Sequence, residues 1–264
     1  MSNELLVENK DGLLVLTMNR PERRNALSPA LLENMVSTLA AAADDPNVRA
    51  VMLTGAGGHF CAGGDVKAMN EGAGQDLPYG NRHYSLRDRM NASRLLHQMP
   101  KPTIAAIDGA VAGAGLSMAL ACDFRVCSTS SKITTAFAKV GLSGDFGGSY
   151  FLTSIVGSAK ARELYFLSPV LTGEEALAIG LVNRAVEPDQ VQGVARELAE
   201  QLANGPTFTL ARIKQNINLA VSGANLADCF DQEAKHHMQC TLTEDHKEAA
   251  AAFVEKRAPV FKGK

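Results

Sequence analysis

The strongest constraint on the fold is a strand, a glycine-rich segment and a helix that follow one another three times. Apolar and β-branched runs predict strands at Arg49–Thr54, Thr103–Ile107 and Phe124–Cys127. The first two strands lead into the glycine-dense loops TGAGGHFCAGGD (54–65) and DGAVAGAG (108–115). After the third strand and a connection, the segment VGLSGDFGGSY (140–150) leads into another helix. This succession predicts an α/β core whose ligands bind at the loops after the strands.

The chain is expected to have this α/β core first and a helical region after it. Near the start, the turn sequence NKDG between the apolar runs Leu5–Val7 and Leu13–Met18 predicts a β-hairpin. Ser28 and Pro29 are typical of an N-cap and the first residue of a helix. From Pro188 onward nearly every segment has helical periodicity. We therefore predict two parts: an α/β core over residues 1–187 and a helical C-terminal region over residues 188–264.

Charge and cysteine content exclude several functional classes. The 264 residues include 26 basic and 28 acidic side chains without a long charge block, so neither nucleic acid nor an anionic membrane is an expected partner. The five cysteines form no CxxC pair, and the first ten residues are acidic where a secretion signal is basic, which together predict a cytoplasmic protein. The nearly uncharged run 102–122 contains Asp108 and is better explained as a buried strand and helix than as a membrane span.

A glycine loop that opens a helix can serve more than one chemistry. Its free N–H groups suit a phosphate as well as a developing oxyanion. A dinucleotide site is disfavoured because Met118 stands where the third glycine is expected, and the acidic residue about 20 positions on is missing. Ser117 and Ser143 are conceivable nucleophiles, yet neither lies in a GxSxG motif. His236 and Cys240 have i, i+4 spacing, but two ligands do not make a zinc site, so no metal is expected.

Asp145 places one carboxylate inside a segment that otherwise consists of glycine, serine and apolar residues. An ionised Asp among apolar neighbours is costly to desolvate, so it needs hydrogen bonds, solvent or a chemical use. A glycine-flanked Asp is commonly only a turn residue. From the segment alone, the structural and the catalytic interpretation both stay open.

Five motifs in a fixed order resemble the crotonase superfamily, which contains the enoyl-CoA hydratases and isomerases. They are NRPERRNAL (19–27), FCAGGDVK (60–67), DGAVAGAGLSMALACD (108–123), LTGEEALAIGLVN (171–183) and FVEKRAPVF (253–261). Together they span essentially the whole chain. The resemblance implies a crotonase-like spiral of ββα turns with a helical C-terminal region used for trimerisation. It also implies an acyl-CoA thioester as substrate, so that coenzyme A enters only as part of the substrate and no separate cofactor is expected.

The same resemblance gives the first two glycine loops a role. The N–H groups of Gly64 and Ala114 would form an oxyanion hole for the thioester carbonyl. Two convergent donors stabilise an enolate more than the ground-state carbonyl, which lowers the barrier to removing the adjacent proton. Family members often have glycine where this chain has Ala114, so the start of the helix must accommodate a methyl group.

Residue types at the implied catalytic positions favour isomerisation. Family hydratases use two glutamates where this chain has Ser117 and Phe137, and neither can act as a general acid or base at neutral pH. Asp145 stands where isomerase-like and dehalogenase-like members carry a catalytic Asp. Dehalogenase-like members line a ring-binding pocket with aromatic side chains, which a chain with no Trp and four Tyr supports poorly. The local pattern is most similar to 1,2-epoxyphenylacetyl-CoA isomerases, and next to Δ3-Δ2-enoyl-CoA isomerases.

Two other functions stay open at this point. A hydratase could activate water with Asp145 alone. The chain could also be a non-catalytic acyl-CoA-binding or scaffold protein with the same fold, since one fold can host unrelated functions. Asp145 is the feature that argues against the scaffold, and acyl-CoA turnover would separate the two.

Candidate residues for the rest of the substrate also follow from the resemblance. Backbone groups around Ala62 and Asp65 are expected to face the nucleotide of coenzyme A. The expected contacts to the coenzyme A phosphates are the cations Arg23, Arg24 and Lys67. Phe137 is expected beside Asp145 in the acyl pocket, where burial should raise the pKa of the carboxyl.

The predicted assembly is a homotrimer or a dimer of trimers. Phe253 and Lys256 resemble tail residues that the family places against the nucleotide bound by a neighbouring subunit. The helical region, beginning with one apolar stripe, offers more apolar surface than a core of this size is expected to cover. That stripe consists of Val191, Val194, Leu198 and Leu202. The alternative is that these helices fold onto the core of their own chain.

Overall fold

The computed structural model describes residues 3–71 and 78–264. Within these ranges the chain forms a six-stranded sheet, a two-stranded sheet and eleven α-helices, which confirms the α/β class. The strands are β1 (Leu5–Lys10), β2 (Leu13–Met18), β3 (Ala50–Gly55), β4 (Thr103–Ile107), β5 (Ala110–Ala112), β6 (Phe124–Ser128), β7 (Lys132–Thr134) and β8 (Arg184–Val186). The helices are α1 (Pro29–Asp44), α2 (Val66–Asn70), α3 (Tyr79–Arg89), α4 (Asn91–Gln98), α5 (Gly113–Ala121), α6 (Gly148–Leu167), α7 (Gly173–Ala178), α8 (Val191–Ala203), α9 (Thr207–Val221), α10 (Leu226–Thr241) and α11 (Glu244–Glu255).

The main sheet has the strand order β1-β2-β3-β4-β6-β8. The predicted hairpin is confirmed, because β1 pairs antiparallel with β2 in a register that places Leu5 opposite Met18. Asp11 and Gly12 both have positive φ in the connecting turn, as a two-residue hairpin loop requires. All other pairs in this sheet are parallel. Their carboxyl ends therefore lie at one edge, where the glycine loops begin.

Helix α1 begins where the sequence predicts. Pro29 is its first residue, and the Ser28 hydroxyl accepts a hydrogen bond from the Leu31 N–H at 3.0 Å. This N-cap satisfies one of the free donors of the first turn. The buried side of α1, with Leu31, Met35 and Leu39 fully buried, packs over one face of the sheet.

Apolar cores cover both faces of the sheet. On one face, alternate residues of the strands pack with helices α1, α4, α5 and α6. On the other face, Met52 and Ile104 pack against Val191 and Ala195 of α8. Burial on two sides explains why the parallel strands are continuous apolar runs without polar alternation.

The interpretation of the α8 stripe as surface for self-association is wrong. Val191 is fully buried and Leu198 is 9 % exposed, and both belong to the core between α8 and the sheet. Val194 and Leu202 are half-buried and pack against the same core. An amphipathic stripe shows that a helix face is covered, but it does not specify which surface covers it.

Exposed apolar side chains lie instead on the later helices α9 to α11. The most exposed large apolar side chains of these helices, among the described residues, are those of Leu226 (68 %), Phe230 (59 %), Met238 (61 %), Phe253 (86 %) and Val254 (79 %). Exposed apolar surface of this kind is typical of interaction faces. The trimer and the division at residue 188 stay predictions. In the described part of the chain, no helix combines the length and apolar composition that crossing a bilayer requires.

The two-stranded sheet of β5 and β7 was not predicted. Each strand has three residues, too few for a periodic pattern to identify it. The pairing places Val111 beside Ile133, and β5 leads directly into α5. This small sheet therefore fixes the position of the second glycine loop and of the first turn of α5.

Candidate active site

The two glycine loops lie side by side. The Ala112 N–H donates to the Cys61 carbonyl at 3.0 Å, and the Cys61 N–H donates to the Ala110 carbonyl at 3.2 Å. On the other side of the first loop, the Leu27 N–H donates to the Gly63 carbonyl at 2.8 Å. The first loop is thus held between the NRPERRNAL segment and β5.

Close packing between the loops depends on two glycines. Gly63 has a φ of +86°, and a Cβ atom there would lie 2.7 Å from the Ala112 carbonyl oxygen and 3.4 Å from the Ala114 nitrogen. A Cβ atom at Gly115 would lie 2.7 Å from the Cβ of Cys61. Real Cβ atoms do not approach one another so closely, so larger residues would force the loops apart.

Gly64 and Ala114, the predicted oxyanion-hole donors, lie in these two adjacent loops, where a Cβ atom at the neighbouring Gly63 would be 3.4 Å from the Ala114 nitrogen. Ala114 is the second residue of α5, where N–H groups have no partner within the helix and the helix dipole is positive. Among the described residues, neither N–H donates a hydrogen bond to another backbone group. The methyl group of Ala114 is accommodated in the main core, where the residue is 3 % exposed.

Asp145 lies in a turn immediately before α6. Gly144, Phe146 and Gly147 have φ values of +110°, +51° and +77°. A left-handed conformation is costly for phenylalanine, and the burial of the Phe146 side chain, which is 3 % exposed, offsets that cost. The turn aims the Asp145 side chain inward although its backbone lies near the surface.

The Asp145 carboxyl is partly withdrawn from solvent. Its Oδ1 atom is buried and has no hydrogen-bond partner among residues 3–71 and 78–264. Burial raises the pKa of Asp145 to about 6, the direction expected from the sequence. A purely structural turn residue would instead use its oxygens to accept backbone hydrogen bonds, as Asp108 does from the Gly109 N–H.

Helix packing joins the Asp145 turn to the second glycine loop. Helix α5 packs against α6, and a methyl group built at Gly148 would overlap the hydroxyls of Ser117 and Tyr165. The ring of Phe137 stacks on Tyr165 with 5.9 Å between centroids and an interplanar angle of 6°. Burial, and then the charge of Asp145, raise the pKa of Tyr165 to about 12. Ser117, Phe137 and Tyr165 therefore all lie close to the Asp145 turn.

Sequence reasoning missed Tyr165. It lies 20 residues after Asp145 near the end of α6, outside every motif that resembles the superfamily. Only the packing of α6 against α5 brings it to the site, so no local sequence signal could have identified it.

The predicted contacts to coenzyme A share one surface cavity of about 520 Å³. Its lining includes Gly64, so the cavity opens beside one of the two predicted oxyanion-hole donors. The predicted residues that line it are Arg23, Arg24, Ala62, Asp65 and Lys67. The Asp65 carboxylate lies 3.6 Å from the Arg20 guanidinium, which holds it in the loop and neutralises a charge that would repel phosphate.

Phe253 and Lys256 are not part of this cavity within the chain. They lie at the end of α11, where Phe253 is 86 % exposed and Lys256 caps the helix in a left-handed conformation. Their predicted contact is with a nucleotide on a neighbouring subunit, and it stays a prediction. Among the described residues, no three His, Cys, Asp or Glu side chains are grouped closely enough to hold a metal ion.

The chain is similar over its full length to proteins of known family. The sequence profile described as "Enoyl-CoA hydratase/isomerase" matches residues 8–264. The chain is 35 % identical to the 1,2-epoxyphenylacetyl-CoA isomerase of Escherichia coli K12, with 100 % of both chains covered. It is 34 % identical to the short-chain-enoyl-CoA hydratase of Clostridium acetobutylicum, with 97 % of this chain and 96 % of that protein covered.

The structure is similar to solved structures of the same kind. An enoyl-CoA hydratase from Polaromonas sp. JS666 superimposes with a TM-score of 0.91 and 33 % sequence identity. The match covers 97 % of this chain and 99 % of that one. The similarity confirms the crotonase-like fold that the five motifs imply.

Proposed function

The chain belongs to the enoyl-CoA hydratase/isomerase family, and from that premise we propose that it is an acyl-CoA isomerase with Asp145 as its acid and base. The observation that carries the proposal is the half-buried Asp145, whose buried Oδ1 atom has no hydrogen-bond partner among the described residues, near two positions, Ser117 and Phe137, that cannot titrate at neutral pH. A single carboxylate suffices to move a proton between two carbons. The 35 % identity to an isomerase is consistent with this reaction.

The proposed reaction needs only the two backbone donors and one carboxylate. The thioester oxygen accepts hydrogen bonds from the Gly64 and Ala114 N–H groups, and Asp145 removes a proton from the carbon beside the thioester. The electron pair of that C–H bond delocalises onto the oxygen, where the two donors stabilise it. Protonated Asp145 then returns the proton to a more distant carbon, and the double bond has moved. No water and no oxidant is consumed.

Hydration is the competing function, because the relative from Clostridium acetobutylicum is named a hydratase. Hydration needs one group to activate water and another to protonate carbon, and Asp145 would have to do both. We therefore expect one enzyme preparation to isomerise a 3-enoyl-CoA much faster than it hydrates crotonyl-CoA. Faster hydration would assign the chain to the hydratases, and no turnover of either substrate would favour the binding or scaffold function.

The pH dependence of isomerisation should report Asp145. Only the ionised carboxylate can remove a proton, and burial raises its pKa to about 6. We expect kcat/KM to rise with pH up to about 6 and to level off above it, falling about tenfold per pH unit on the acid side. A rate that stays constant from pH 7 down to pH 5 would contradict a base with a raised pKa.

Arg24 should contribute to the binding of coenzyme A. It lines the cavity beside Gly64, and a guanidinium there can pair with phosphate. Arg24→Ala should weaken coenzyme A binding in a calorimetric titration, more at low salt than at high salt. Arg184→Ala, which removes an exposed cation outside the cavity, is the matched control. Affinity that stays at the parent value at both salt concentrations would remove Arg24 from the site.

A further inference from the structure

A cavity of about 400 Å³ lies directly beside the Asp145 turn. No residue lines both this cavity and the coenzyme A cavity. One of its walls consists of Phe146 and Gly147, the two residues after Asp145, and of the first turn of α6. Because consecutive Cα atoms are about 3.8 Å apart, this wall begins within about 8 Å of the Asp145 backbone. An acyl chain held at Asp145 is therefore within reach of the cavity.

The wall from the turn and α6 is apolar and aromatic. Phe146 and Phe151 are both buried. A Cβ atom at Gly147 would lie 2.8 Å from the Phe151 ring, so glycine allows that ring to pack against the turn. The ring of Phe151 also lies 5.1 Å, between centroids, from the ring of His97 in α4. This side of the cavity suits the methylene groups of an acyl chain.

The opposite wall carries polar groups. Met90 alone separates α3 from α4, and residues at helical spacing along both helices line the cavity, namely Arg87, Met90, Ser93, Arg94, His97 and Gln98. Arg94 donates only to the neutral side-chain oxygens of Asn91 and Gln98. Among the described residues, neither Arg87 nor Arg94 forms an ion pair with a carboxylate. The wall therefore presents two guanidinium groups that can pair with an anion.

Ser93 is the buried polar group of this wall. The residue is 2 % exposed, and its Oγ atom has no hydrogen-bond partner within residues 3–71 and 78–264. A helical serine commonly satisfies its hydroxyl with the carbonyl four residues earlier, and Ser93 does not. A buried hydroxyl without a partner is costly, and an acceptor bound in the cavity would remove that cost. His97 adds no charge, because burial, and then the charge of Lys214, lower its pKa.

We propose that this cavity receives the far end of the acyl group and selects an acyl chain that ends in a carboxylate. The methylene groups pack on Phe146 and Phe151. The terminal carboxylate pairs with Arg87 and Arg94 and accepts a hydrogen bond from the Ser93 hydroxyl. The substrate class is thus a coenzyme A monothioester of a dicarboxylic acid. This inference rests on the proposed function in taking the bound molecule to be an acyl-CoA.

Calorimetric titration with saturated thioesters measures this preference without turnover. Glutaryl-, adipoyl- and pimeloyl-CoA are compared with pentanoyl-, hexanoyl- and heptanoyl-CoA, which have the same numbers of carbons and a methyl end. We expect the carboxylate to strengthen binding about tenfold at the length that reaches Ser93, the effect of one charge-assisted hydrogen bond. The preference should shrink at high salt. Tight binding of free adipate alone would make the cavity a separate small-molecule site and overturn its role for the acyl group.

Substitutions on the polar wall should remove the preference. Arg87→Glu should make the methyl-ended thioesters the tighter ligands while leaving their own affinity near that of the parent. Arg82→Glu changes the net charge equally on an exposed position of α3 outside the cavity lining, so it is the matched control and should keep the preference. An equal loss of preference in both variants would overturn the inference, because it would reflect only the overall charge.

Ser93→Ala separates a ligand contact from a structural role. It removes a buried hydroxyl that has no partner, so the variant should melt no lower than the parent and still show a reduced preference for the carboxylate. A lower melting temperature with an unchanged preference would overturn the assignment of Ser93.

The outcomes also separate this inference from the proposed function. If the carboxylate-ended thioesters bind more tightly but the parent does not isomerise any 3-enoyl-CoA, the cavity assignment stands and the assigned reaction is wrong. If the parent isomerises but binds both kinds of thioester equally at every length, the cavity assignment is overturned while the reaction stands.

Discussion

Replacing Asp145 with asparagine should lower isomerase turnover by at least about 100-fold, the loss typical of removing one general base. Asparagine keeps the size of the side chain and cannot accept the substrate proton. The oxyanion-hole donors and the coenzyme A cavity lie on other loops, so binding of a saturated acyl-CoA should remain close to that of the parent protein. The measurements are steady-state isomerisation and a binding titration on the same folded preparation.

The stability of the variant provides a second readout. Burial raises the pKa of Asp145 to about 6, so the folded chain favours the protonated carboxyl over the ionised one. Ionisation of Asp145 therefore lowers the free energy of unfolding as the pH rises from the ordinary Asp range through about 6. Asp145→Asn should be at least as stable as the parent at pH 7, and this advantage should vanish near pH 4.

If Asp145 has only a structural role in its turn, the opposite stability and turnover are expected for Asp145→Asn. If Asp145 only stabilised the turn before α6, the variant would be less stable at pH 7 and would keep its turnover per folded molecule. Asp11→Asn is the matched control, since Asp11 is likewise next to a glycine in a tight turn with positive φ, and it lies in the β1–β2 hairpin. A folded Asp145→Asn variant that turns over within a few-fold of the parent would remove the main support for the isomerase proposal.

Local chemistry explains what the sequence predicted correctly. The NKDG turn and the Ser28 N-cap depend on neighbouring residues, so the hairpin and the start of α1 lie where expected. Strand β4 has its predicted bounds because a buried parallel strand is an apolar run with sharp ends. The two glycine loops were identified by composition, and their close packing gives the physical reason for the glycines at 63 and 115.

What the sequence did not predict depends on contacts between distant segments. The covered face of α8 was recognised, but its partner is the sheet of the same chain and not a second subunit. The β5–β7 pair joins two three-residue segments that are about 20 residues apart in the chain, and Tyr165 comes close to the Asp145 turn where α5 packs against α6. For the site, the sequence was enough to name the candidate base and the candidate backbone donors. The position of Tyr165 near them could be found only from the structure.

Gly115→Ala should be the most damaging small substitution in the oxyanion hole. A Cβ atom at this position would lie 2.7 Å from the Cβ and 2.8 Å from the sulfur of Cys61, both in the rigid first loop. The start of α5 must then move away from that loop, which separates the Ala114 N–H from the Gly64 N–H. Loss of one oxyanion-hole donor costs about 10²–10³ in kcat. We expect a loss of that size in isomerase kcat.

The substitution also removes close packing, so activity must be expressed per folded molecule well below the melting temperature. Gly193→Ala is the matched control: Gly193 is exposed in α8 with open space around its Cα, and alanine there should raise stability by about 0.5–1 kcal/mol without changing kcat. In Gly115→Ala, the coenzyme A cavity should still bind free coenzyme A, because its cationic lining belongs to other segments. A folded variant that binds coenzyme A and keeps kcat within a few-fold would show that the alignment of Gly64 and Ala114 does not limit the reaction.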